Sequence, residues 1–144
     1  MVELAISLLF MLLLVAGVVD LGRAFFVYIA LRDAAQEGAA YASIARTAPD
    51  DPMMCTEIVN RVRSTSNTQI VDLTQASVSV VFNGGIPCGA SSNNDACWQK
   101  SVEVIVTENN FHLTTPLLGT FIGSQTVPIS ASILDTVVTP LCEP

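Results

Sequence analysis

The chain has 144 residues and 15.3 kDa, with 6 lysines and arginines against 13 acids, a formal charge of −7 and a pI near 4.3. That size holds one modest domain with an appendage and excludes a large multidomain enzyme. The acidity argues against an electrostatic grip on nucleic acid or anionic lipid headgroups. Apolar residues make up 51% and charged residues 13%, a balance that argues against a disordered chain.

The apolar excess is concentrated at the amino-terminal end. Leu4 to Val19, LAISLLFMLLLVAGVV, is a run of 16 uncharged residues in which only Ser7 is polar, with Glu3 before it and Asp20 after it. A helix from Glu3 to Asp20 spans roughly 25 Å, a little under the ~30 Å hydrocarbon core of a bilayer. The run follows an acid and leads into more helix, whereas a cleaved signal peptide has a basic start and a small-residue cleavage site. Beyond Asp20, DLGRAFFVYIALRDAAQEGAAYASIAR has no proline and is rich in helix formers, so the spacing predicts one helix continuing to Arg46, stopped at Ala48-Pro49. Its second half carries Arg23, Arg32, Asp33 and Glu37 and is amphipathic where the first is apolar all round. At about 68 Å such a helix exceeds what a bilayer or a small domain covers alone. Phe25, Phe26 and Tyr28 read as packing residues more readily than as an interfacial aromatic belt.

Residues 1–48 are therefore read as the long helix and residues 49–144 as a globular head. Asp51 as N-cap and Pro52 in the first turn begin a short helix whose stripe is Met54, Ile58, Val59 and Val62, followed by a polar loop from Ser64 to Gln69. Alternation predicts strands in ASVSVVF (Val78, Val80, Phe82), SVEVIVTE (Val102, Val104, Val106) and TVPISASIL (Val127, Ile129, Ala131, Ile133). NFHLTTPLLGTFIGSQ, with Pro116, Gly119 and Gly123, reads as a loop with a short helical turn. The expected fold class is α+β: a small antiparallel sheet of three or four strands, one face covered by the amphipathic end of the long helix.

Cys55, Cys88, Cys97 and Cys142 all lie in the head, and none shows the spacing of a zinc or redox motif. They read as two disulfides made outside the cell, the alternative being four buried thiols. Cys88 and Cys97 flank the polar segment GASSNNDA, so the expected pairs are Cys88–Cys97 and Cys55–Cys142. Catalytic chemistry is not expected. The one histidine, His112, stands without a second histidine, a nucleophile elbow, a phosphate loop or a carboxylate cluster, and reads as packed or solvated. SSNND lacks the closing glutamate and spacing of a calcium loop. No metal or cofactor is called for.

Glu3 has two readings. At a membrane surface it is simply solvated; among packed apolar helices it becomes a buried carboxylate in need of a cation. The nearest basic side chain, Arg23, lies roughly 30 Å along the helix, which leaves a chain-start amine, its own or a neighbour's.

VELAISLLFMLLLVAGVVDLGRAFFVYIALRDAAQEGAAYA resembles the amino-terminal segment of TadE-like proteins of the type IV pilin superfamily: a VE-plus-apolar run, an acid, LGRA, and an EGA-aromatic-A segment. The resemblance covers about 45 residues and reaches the head only in layout. It implies a pilin fold and a subunit held in the cytoplasmic membrane, from which a prepilin peptidase removes a basic leader and an ATPase-driven machine assembles an extracellular helical homo-oligomer. With no basic leader in view, the chain is expected to be past that processing. Glu3 corresponds to the family's acid, third here and usually fifth there, and is implied to pair with a neighbour's amine. The positions expected to serve assembly are Glu3, Leu8, Leu12, Val15, Gly17, Asp20, Gly22, Arg23, Phe25 and Phe26. In the assembled state a melted segment is expected near Gly17 and Gly22, where many pilins carry a proline. The expected function is a structural pilus subunit. The alternatives are a minor TadE-type pilin that primes or caps a filament, and a membrane-anchored surface binding protein that does not polymerise.

Overall fold

The proline-free amino-terminal stretch forms one α-helix in the computed structural model, α1 (Val2–Ile44). Residues 2–44, 52–65, 67–68, 71–83, 85–90, 101–115, 119–120 and 122–138 are described. At 43 residues α1 is about 65 Å long. It runs unbroken through Gly17 and Gly22, each of which costs about 1 kcal/mol relative to alanine, because helix formers continue on both sides. The segment expected to open there in an assembled filament is helical in the single chain.

The two halves of α1 meet different surroundings. None of its most apolar stretch is buried within the molecule, and the helix is long and apolar enough to cross a membrane. From Val27 onward the buried positions are Val27, Leu31, Ala34, Ala35, Gly38, Ala39, Ala42 and Ser43, spaced at three and four residues along one face. Most of them are small, so the helix axis lies close to its neighbours. A Cβ added at Gly38 would lie 2.4 Å from Val62 Cγ2 and 3.5 Å from Val104 Cγ1.

The second helix, α2 (Pro52–Ser64), begins at the predicted proline and buries Met54, Ile58 and Val62, with Val59 only half-buried. The expected N-cap Asp51 and the expected end of the long helix at Arg46 lie outside the described residues. Among the described residues six strands follow: β1 (Asn67–Thr68), β2 (Val71–Asp72), β3 (Ser77–Phe82), β4 (Ile86–Pro87), β5 (Ser101–His112) and β6 (Thr126–Thr136). β1 and β2 form a small hairpin of their own inside and beside the stretch read as polar loop, so that reading is corrected: two-residue strands are too short to show alternation. The main sheet is antiparallel with strand order β4-β3-β5-β6. Its register stacks Val78, Val106 and Ala131 in one row and Val80, Val104 and Ile133 in the next. These rows face α1, and with Phe82, Val102, Leu31, Ile58 and Val62 they make the core. The α+β expectation holds, with four strands in the main sheet.

One strand outruns its sequence pattern. Alternation ends at Glu108, yet β5 continues to His112 through a bulge between Glu108 and Phe111. The extra residue shifts the parity of the strand, so Phe111 is buried and Asn110 is exposed. Asn110 N–H donates to Glu108 Oε1 at 3.0 Å across the bulge. The stretch read as a loop with a short helical turn therefore begins as strand, and the helical turn is present at Gly119, Thr120 and Ile122, where Gly123 N–H donates to the Gly119 carbonyl at 2.9 Å.

The disulfide expectation is corrected. Cys55 is bridged to Cys88, with Cα atoms 5.8 Å apart, so neither Cys88–Cys97 nor Cys55–Cys142 forms. The Cys88 N–H donates to the Val80 carbonyl at 2.9 Å, which keeps it beside β3. Cys55, half-buried in the first turn of α2, meets it there. Cys97 and Cys142 lie outside the described residues. In the chain-entropy picture a bridge across a separation of 33 residues stabilises the head by about 3–4 kcal/mol.

Candidate functional site

The residues expected to serve assembly fall into two groups. Leu8, Leu12 and Val15 are 54%, 60% and 52% exposed, part of an exposed apolar surface that continues through Leu9, Phe10, Leu14, Val18 and Val19. Gly17 and Gly22 lie on this rod with open space around them. Glu3 is exposed in the first turn, its backbone carbonyl accepting a 2.9 Å hydrogen bond from Ser7 Oγ. Phe25 and Phe26 are 61% and 64% exposed, on the side of α1 away from the head.

Asp20 and Arg23 instead join the rod to the head. Asp20 is 2% exposed. Its Oδ1 accepts from the Thr114 amide at 3.1 Å; its Oδ2 accepts from the Thr115 amide at 2.9 Å and from the Thr115 hydroxyl at 2.6 Å. One turn on, the half-exposed Arg23 donates to Thr114 Oγ1, lies 3.9 Å from Asp20 Oδ1, and stacks with its guanidinium carbon 5.6 Å from the centre of the Phe111 ring. Carboxylate, guanidinium, two threonines and a ring thus clasp the start of the β5–β6 connection against the first turn past the apolar run. Charge-assisted bonds from backbone amides are of the stronger kind and fix orientation as well as contact. The β5 bulge makes this possible, since it turns Phe111 toward α1 and directs the next residues onto Asp20.

Asp20 and Arg23 belong together on spacing alone, but Thr114 and Thr115 carried no signal, because 94 and 95 residues separate them from Asp20. Higher on the rod, Glu37 receives Arg61 of α2 at 2.8 Å, and the Tyr41 hydroxyl donates to Glu57 at 2.8 Å, pinning α2 to α1 at the surface. At the hairpin, the Thr74 hydroxyl and then its amide hold the exposed Asp72 carboxyl below the ordinary carboxylate range. A cavity of about 310 Å³ lies between this hairpin and the clasp, lined by Arg23, Asp72, Glu108 and the exposed His112 among others. Among the described residues no group of three or more His, Cys, Asp or Glu side chains is placed to hold a metal ion.

The arrangement is a rigid rod with an uncovered apolar end, fixed by a polar clasp to a disulfide-bridged head. Residues 1–40 match the family model of TadE-like proteins, which covers the apolar run, the clasp residues Asp20 and Arg23, and the first small-residue turns under the head. No curated protein and no solved structure matches the chain. The amino-terminal segment, residues 1–40, is thus TadE-like, and the resemblance read in VELAISLL and DLGRAFF is borne out over that span.

Proposed function

We propose that the chain is a structural, non-enzymatic subunit of a pilus of the Tad type, held in the cytoplasmic membrane by the first half of α1 and polymerised through the same surface into an extracellular helical filament. The observation that carries this reading is the apolar stretch of α1, none of it buried within the molecule, continuous with a helix locked into a folded head. Each large apolar side chain left in water forgoes about 1.5–3 kcal/mol, so lipid or the rods of sister subunits must cover it. A rod apolar on all sides contacts several neighbours at once, as the centre of a helical assembly requires.

Glu3 then enters the packed interior, where a chain-start amine of a neighbouring subunit is its partner. The test is electron microscopy and mass spectrometry of sheared surface fibres. The chain is expected as the stoichiometric component; a trace amount relative to a smaller protein would assign it the priming or capping role instead. Glu3→Ala is expected to reduce fibre yield while the Cys55–Cys88 bridge still forms, and undiminished yield would remove the assembly role of that acid.

A further inference from the structure

The clasp fixes where the head meets the rod, and so fixes the depth of the loop it holds. We propose that the β5–β6 connection, through its described residues 113–115, 119–120 and 122–125, seats the head in the outer interface of a lipid bilayer while α1 spans that bilayer; this rests on the reading of residues 4–19 as membrane-embedded before assembly. The occupant of this surface is lipid at the boundary between acyl chains and headgroups.

Three independent observations lead there. The first is length. Glu3 and Asp20 are separated by roughly 25 Å of helix, less than the ~30 Å hydrocarbon core. With Glu3 at one boundary, Asp20 therefore sits roughly 5 Å inside the other, and Thr114 and Thr115, bonded to it, sit at the same level. The second is direction. Phe111 packs against Arg23 while Thr114 and Thr115 reach Asp20, one turn nearer the apolar end, so the chain leaving β5 descends toward the membrane. The Leu113 amide donates to the Gln125 carbonyl at 3.0 Å, which closes the base of the loop at that height.

The third is composition and exposure. Residues 113–125, LTTPLLGTFIGSQ, contain no charged side chain. Ile122 in the helical turn is 60% exposed. On the face of α1 that the head leaves open, Leu21, Phe25 and Phe26 are 71%, 61% and 64% exposed, so the apolar surface continues about 9 Å past Asp20. A bilayer deep enough to cover Phe26 reaches the loop on the opposite side. Asp20 tolerates that level because the two amides and a hydroxyl already satisfy it, and the long Arg23 side chain can reach the phosphate layer.

Tryptophan emission of the full chain in phosphatidylcholine vesicles with brominated acyl chains tests the seating. The chain's one tryptophan is removed by Trp98→Phe, and Leu12→Trp, Ile122→Trp and Leu134→Trp are each made in that background. Leu134 is the solvent control: it is 67% exposed on β6, eight residues and roughly 26 Å from the membrane end of that strand. A non-reducing gel for the Cys55–Cys88 bridge reports that the head has folded. Bromine is expected to diminish the emission of Leu12→Trp and Ile122→Trp and to leave that of Leu134→Trp intact. An Ile122→Trp signal as insensitive as the control, with Leu12→Trp quenched, overturns the seating and spares the membrane-spanning reading; an unquenched Leu12→Trp overturns both. Shielding of Ile122→Trp from aqueous iodide without lipid quenching would give the surface to a second copy of the chain and overturn the proposal equally.

Discussion

Asp20 shows how one side chain couples the two halves of the molecule. Removing it in Asp20→Ala leaves the Thr114 and Thr115 amides without their carboxylate acceptor, a loss expected to cost about 1–3 kcal/mol of local stability. Hydrogen exchange at those two amides should quicken while the sheet core stays protected; unchanged exchange would mean that the clasp carries no load. Asp72 provides a pH-dependent counterpart. Its folded-state carboxyl titrates below the ordinary carboxylate range, so its contribution is complete above that range and is lost as pH falls through the depressed folded value. The Thr74 amide is accordingly expected to lose protection in acid before the sheet does, as followed by NMR. Glu3 was the acid that the sequence singled out, yet in the single chain Asp20 is the one enclosed by donors, because burial at that position depends on a loop more than 90 residues away.

Among the elements, long and regular segments were readable and short ones were not. α1, α2 and the three longer strands show in their proline content, caps and alternation, since period and length together leave few other conformations. The two-residue strands β1, β2 and β4 have no period to read, and the β5 bulge breaks the one that β5 has. The contact of α1 with α2 is similarly hidden, because the glycine that permits it is an ordinary helical position until Val62 lies against it. Gly38→Ala places a methyl against a stiff, buried valine and is expected to cost about 1–3 kcal/mol, measured as a lowered thermal midpoint of the head. An unchanged midpoint would show that α2 can shift away freely. The cysteine pairing failed for the same kind of reason: proximity in sequence favoured Cys88 with Cys97, but a helix turn and a strand end brought Cys55 to Cys88 across a separation of 33 residues.

For the whole molecule the decisive feature is the mismatch between its ends, one half of α1 buried under a sheet and the other uncovered. A charge in the middle of the uncovered half is expected to act on membrane residence and assembly together, since both depend on one surface. Leu12→Arg places that charge at a cost of about 2.5–3.5 kcal/mol at a helix centre. Membrane fractionation should find less of the variant inserted, and fibre yield should fall with it; a normal yield of fibres would separate the two roles and count against the filament reading. The sequence by itself determined the apolar rod, the α+β class and the TadE-like character of residues 1–40, because hydropathy and periodicity are local properties written residue by residue. Only the tertiary structure decided the Asp20 clasp, the Cys55–Cys88 bridge and the turn of β5 onto the helix. Each joins groups far apart in the chain, and no local pattern records which of many distant partners packing will bring within bonding distance.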